Sequence, residues 1–237
     1  MKLFNWIFPM RKESMVDKEG WTKNARPIFK PNLFSLVAFI VFTNVAVAGP
    51  HPNMYINQDE IDAIKSKVSA NVQPWAGAYS KVISLANAAL SQAPLSVTFQ
   101  GNTSHRYTTQ KPYCGWPDGC RDGQINPDAD RGDYDAAIKL DNAVRDLGLA
   151  YAFTGQAKYA DKAIELIRVW SLGPDTYMDP TTATTNVIEL YITLPGYLYG
   201  ADLIWNYSGW DAGEKAAFTD WVKRLGDQAL SQGAGQN

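Results

Sequence analysis

The stretch Val187 to Trp205, VIELYITLPGYLYGADLIW, is apolar almost all the way round. A helix with no polar face has to be buried on every side. The chain must therefore surround this segment with other helices, and the rest of the sequence supplies them. Asn57 followed by Glu60 reads as a capping box opening a helix with Ile61, Ile64 and Val68 on one stripe, and a second helix spans Val72 to Leu90. From Tyr134 to Phe153, Ala137, Leu140, Val144, Leu147, Ala150 and Tyr151 recur at three- and four-residue steps until Thr154-Gly155 stops the pattern. Gln156 to Ser171 follows with Tyr159, Ala163, Leu166, Ile167 and Trp170 on one face, which makes an antiparallel hairpin.

After Gly173-Pro174, the apolar helix itself is predicted from about Thr184 to Trp205, with Pro195-Gly196 bending or breaking it. Asp211 with Glu214 reads as another capping box, starting a helix that carries Phe218, Trp221, Val222 and Leu225. Inner apolar helices alternating with outer amphipathic ones predict an all-α fold, an α/α toroid or an incomplete barrel of antiparallel helix hairpins. Periodicity alone leaves a generic helical repeat array open. At 237 residues and 46% hydrophobic content, the chain has material for a sizeable core.

Charge is unevenly placed. Residues 1–48 carry seven Lys or Arg against three acids, leaving fifteen against twenty-one in the rest, so the body is mildly acidic. No clustered basic field is present to hold nucleic acid. Within the leader, LFSLVAFIVFTNVAVA (Leu33 to Ala48) is a short apolar run ending in the A-x-A signature Ala46-Val47-Ala48, which reads as a signal peptide cleaved after Ala48. Its sixteen residues fall short of the roughly 20 that a bilayer span needs, so no stable membrane association is expected after cleavage. The leader before that run is long, and translation starting at Met10 or Met15 would shorten it. The expectation is a periplasmic or secreted body, residues 49–237.

In an oxidising compartment Cys114 and Cys120, separated by five turn-forming residues, can close a small loop as a disulfide. Two free thiols remain the reading if the chain is not exported. A metal site is weakly supported, because no second cysteine pair exists and the histidines are His51 and His105 alone. The cysteines lie in a polar, aromatic interval from Gln92 to Asp133, too long for an ordinary connection unless it is functional.

Three pieces of sequence carry a family likeness. They are GWPDGCRDGQINPDAD with its WPD and RDGQ-x-NP, DNAVRDLGLAYAFTGQAKYADKAIELIRVWSLGPDTYMDP with its L-x-L-A-Y-x-F-T-G-x-x-x-Y-A-x-K-A hairpin, and IELYITLPGYLYGADLIW. Together, from about Gln58 to the end, they resemble the alginate lyase superfamily of polysaccharide lyases, and within it the alginate lyase-like proteins that include glucuronan lyases. The resemblance implies a toroid whose central cleft binds a uronate polymer and cleaves it by β-elimination. Members also carry an Asn in the next inner helix and a catalytic Tyr further along. Asn237 matches the first of these, so the resemblance implies that the chain is the N-terminal part of such a domain.

β-Elimination needs the C6 carboxylate neutralised, the C5 proton removed and O4 protonated, which suits Asn, Arg, His and Tyr and requires no metal or cofactor. Asn186 and Glu189, one turn apart at the start of the apolar helix, are placed to face the cleft, although capping and a buried hydrogen bond would also explain them. Tyr191 and Tyr197 offer hydroxyls or stacking faces, or else belong to the core. In the long loop, His105, Arg106, Lys111 and Arg121 supply donors while Tyr107, Tyr113 and Trp116 supply ring faces. Arg121, within the RDG of the family pattern, is the expected carboxylate clamp, with an ion pair to Asp118 or Asp122 as its plain alternative. The catalytic candidates are thus Asn186, Asn237, His105 and Tyr197. The expected partner is an acidic polysaccharide. Two other functions stay open: polyuronate binding without cleavage, and a toroidal glycoside hydrolase using Glu189 with Asp133 or Asp135.

Overall fold

The computed structural model describes residues 49–99, 105–108, 113–115, 119–182 and 187–233. The signal segment lies outside them, as do Lys111, Trp116, Asn186 and Asn237. The described residues are all-α, with seven α-helices and no strand: α1 Gln58–Ser69, α2 Trp75–Ala89, α3 Gly132–Thr154, α4 Ala157–Ile167, α5 Val187–Thr193, α6 Pro195–Leu203 and α7 Ala212–Gly233. None of these is long and apolar enough to cross a membrane.

Each boundary has a local cause. Asn57 accepts from the Glu60 N–H and the Glu60 carboxylate accepts from the Asn57 N–H, both at 3.0 Å, so the expected capping box opens α1. Gly155 stops α3 in the left-handed conformation (φ 68°), and the two-residue turn there sends α4 back along α3. The face of α4 is as the spacing predicts, with Tyr159, Ala163, Leu166 and Ile167 buried. The end differs: Arg168–Leu172 widens into a π-helical turn, which still buries Trp170. The apolar segment breaks at Leu194, where Pro195 starts α6 as a residue with no N–H to lose.

The capping box expected at Asp211 forms only by half. Its carboxylate accepts from Gly213 N and Glu214 N, at 2.8 and 3.1 Å, and so starts α7. Glu214 instead turns away to a two-pronged ion pair with Arg168, at 2.6 and 3.0 Å. A charged partner at the end of α4 outcompetes a neutral backbone N–H. Trp221 of α7 then donates its indole N–H to the Met178 carbonyl at 2.7 Å, and Phe218, Trp221 and Leu225 complete the core.

Helix α3 is central, packing on α2, α4, α5 and α6. Its crossing with α6 is the tightest, because glycines meet. A Cβ on Gly148 would lie 2.7 Å from the Gly200 carbonyl oxygen, and one on Gly200 would lie 2.2 Å from the Val144 carbonyl oxygen. Nearby, the Asp141 carboxylate of α3 accepts from Tyr197 N at 3.0 Å and so caps α6. The second acid of the apolar run is also explained: buried Asp202 accepts from the backbone N–H groups of Asn53 and Met54, at 2.8 and 2.9 Å, and from His51 Nδ1.

Gly200→Ala should therefore lower the stability by about 2–3 kcal/mol in urea unfolding, because the added methyl meets backbone that cannot yield. Gly226→Ala is the control, since nothing lies within 4 Å of its Cβ position on α7. It should gain about 0.5–1 kcal/mol from helix propensity alone. Equal effects of the two substitutions would count against the close crossing.

Candidate functional site

The segment 105–108 ties two parts of the fold together. His105 stands at a positive φ of 55°, a region that non-glycine residues enter at a cost and that often marks a working position. Its ring lies against that of Tyr177, with centroids 4.4 Å apart, and its Nδ1 is 2.6 Å from the Tyr177 carbonyl oxygen. A carbonyl only accepts, so Nδ1 carries a proton and the neutral ring keeps its lone pair on Nε2. The Asp179 N–H donates to the His105 carbonyl at 2.9 Å. Three residues on, Thr108 donates its N–H and hydroxyl to Asp133 at 2.7 and 3.0 Å, which anchors the segment to the first turn of α3.

The loop that follows is closed covalently and through its backbone. Cys114 and Cys120 form the expected disulfide, with Cα atoms 5.7 Å apart. Cys114 N donates to Gln124 O at 2.7 Å, Gly123 N to Cys114 O at 3.1 Å, and Tyr113 forms an isolated antiparallel bridge with Ile125. Gly119 and Gly123 take the left-handed φ values of 74° and 78° that these turns require. Tyr113 is left 41% exposed, and Arg106 and Arg121 are also exposed. Arg121 makes no ion pair among the described residues, so the plain alternative to the clamp, a pair with Asp122, is not formed, and Asp118 lies outside the described residues.

The residue that the sequence does not single out is Arg131, immediately before α3. Its Nη1 donates to Glu189 Oε1 at 3.0 Å, linking the start of α3 to α5. The guanidinium carbon sits 3.9 Å from the ring centroid of Tyr134 and 6.0 Å from that of Tyr113. Glu189 is fully buried, and among the described residues its Oε2 meets no donor. One signal could have pointed here: an acid in an all-round apolar helix demands a cation. Nothing local in Asp130-Arg131-Gly132-Asp133 says which cation that is.

The other candidates fall apart spatially. Tyr197 is completely buried among Phe218 and Trp221, its hydroxyl tied to Ser171, and burial pushes that phenol far above its ordinary range. This corrects the expectation of a catalytic Tyr197: it is a core residue, since no substrate reaches its hydroxyl. Tyr191 directs its hydroxyl to the Leu225 carbonyl at 3.4 Å, and burial raises its pKa as well. The carboxylate pair that a glycoside hydrolase would use is not open to a sugar, because Glu189 is inaccessible and Asp133 is buried against Thr108. Among the described residues, no group of His, Cys, Asp or Glu is arranged to hold a metal ion.

Against this geometry, the sequence model of the alginate lyase family matches residues 91–237, well over half the chain. The chain belongs to the alginate lyase family. Among solved structures it is similar to the crystal structure of an alginate lyase from Bacteroides ovatus, at 27% identity and a TM-score of 0.61, over 74% of this chain and 53% of that one. It therefore spans about half the length of that lyase. No curated protein sequence matches it significantly. The family match takes in the disulfide loop, His105, Arg131 and Glu189, so the polar cluster lies inside the shared region.

Burial raises the pKa of Asp133 above its ordinary 3.8, against the lowering effect of the two Thr108 bonds. A raised acid pKa stabilises the fold below the unfolded value, and that contribution is lost as pH rises through the folded value. The stability of Asp133→Asn relative to the parent should thus increase in urea titrations as pH rises above about 4. A difference that stays flat with pH would show that Asp133 is not held against its own ionisation.

Proposed function

We propose that this chain contributes to the cleft of a polysaccharide lyase that cleaves a 1,4-linked uronate polymer, alginate or glucuronan, by β-elimination. The observation that carries the reading is His105, whose Nδ1 is committed to the Tyr177 carbonyl, leaving Nε2 as a fixed proton acceptor in the loop of an alginate lyase family member. In this reaction the C5–H and C4–O4 bonds break, the C4–C5 double bond forms, and O4 takes up a proton. His105 Nε2 suits the first of these transfers, since a ring whose Nδ1–H is given to the Tyr177 carbonyl turns its lone pair outward on Nε2.

The exposed Arg106 and Arg121 offer guanidinium groups on this loop to the carboxylates of a polyanion. Tyr113, exposed in the same loop, offers a ring face to a sugar. Lys111, Trp116 and Asn186 belong to the same proposal by their place in the sequence. Export through the signal segment would put this activity where polymeric uronates are met, outside the cytoplasm.

The test is the near-ultraviolet absorbance of the unsaturated uronate, followed with alginate and with glucuronan in separate samples. Absorbance should rise with one of them, and His105→Gln should lower kcat by about 10²–10⁴-fold with a smaller change in KM. Polymer binding with no rise in absorbance for either substrate would rule out cleavage and leave a binding function.

A further inference from the structure

We infer that Arg131, rather than Arg121, takes the carboxylate of the bound uronate, and that Glu189 is the residue that positions it. The inference rests on the polyuronate reading above. A carboxylate is held best by two parallel N–H groups of one guanidinium, and held most tightly when the fork is fixed before the ligand arrives. Arg131 meets both conditions. Glu189 Oε1 fixes it from behind at 3.0 Å, and the Tyr134 ring supports its face at 3.9 Å.

Only one N–H of Arg131 is engaged in a hydrogen bond among the described residues, and none of its nitrogens is both buried and unpartnered. The remaining donors therefore reach solvent, in keeping with a side chain that is 15% exposed. Tyr113 lies 6.0 Å from the guanidinium carbon and is 41% exposed, so a sugar ring set against it has its carboxylate within reach of the fork. Arg121 has the charge but no such support. It is exposed and without an ion pair among the described residues, so its flexible stem would have to be ordered at the moment of binding.

Glu189 cannot touch the substrate, because its side chain is fully buried. It acts through Arg131, from which its Oε1 accepts at 3.0 Å. The arrangement predicts a specificity: a uronate with a free carboxylate is bound and its neutral methyl ester is not.

The experiment compares binding of polyuronate with binding of the same polymer methyl-esterified, by calorimetry on the full chain. The parent should prefer the free acid. Arg131→Lys keeps a cation for Glu189 but loses the planar fork, and it should lose roughly ten- to hundredfold of that preference. Should Arg131→Lys lose its helical circular dichroism, Tyr134→Leu carries the same test, since it removes the ring under the guanidinium and leaves the ion pair. An unchanged preference in the folded variant, or its loss in Arg121→Ala instead, would overturn the assignment. A parent chain that binds neither polymer would overturn the polyuronate reading itself, and the clamp with it.

Discussion

Backbone meets backbone where α3 crosses α6, and the geometry of the polar cluster follows from that contact. Gly148 and Gly200 let the two helices approach until a single methyl would collide with a carbonyl oxygen, and the Asp141 carboxylate locks the register by capping α6. Helix α5 ends at Thr193, one residue before Leu194 leads into α6, so fixing α6 on α3 also fixes α5. Glu189 is thereby delivered to the start of α3, where Arg131 stands. A looser crossing would separate a buried carboxylate from its only cation among the described residues, which is among the costlier changes a core can suffer.

The loop before α3 obeys different physics. It buries Tyr107 and Cys114, and it is held besides by a disulfide, backbone hydrogen bonds, the Thr108–Asp133 bonds and the His105–Tyr177 contact. Such bonds are directional, so they hold side chains at set angles without enclosing them. Tyr113, Arg106 and Arg121 stay exposed while the backbone behind them is pinned.

Much of the architecture was legible from residue spacing. The stripe on α4, the Asn57–Glu60 capping box, the Gly155 stop and the break at Pro195 all come from interactions within a few residues of each other, where sequence order and spatial order coincide. Glu214 shows the limit. Its spacing from Asp211 is right for a capping box, yet it pairs with Arg168, which is 46 residues away and visible only once α4 and α7 are packed together. Tyr197 shows the same limit from the other side. A tyrosine in an apolar helix serves either as a core residue or as a site residue, and only its neighbours Ser171, Phe218 and Trp221 decide for the core.

The sequence alone determined that the chain is all-α, that most of the 187–205 segment lies inside, with Ile192 at 54% exposure the exception, and that the cysteine-containing loop is the chemically richest stretch. These properties depend on local period, on composition and on motifs written in consecutive residues. It could not determine which arginine faces which acid. Glu189 requires a cation, and every Lys and Arg in the chain satisfies that requirement equally well until the α3–α6 crossing brings Arg131 to it across 58 residues. Local order follows from bonds between near neighbours, whereas the pairing of a buried charge follows from a packing contact between glycines that carry no chemistry of their own.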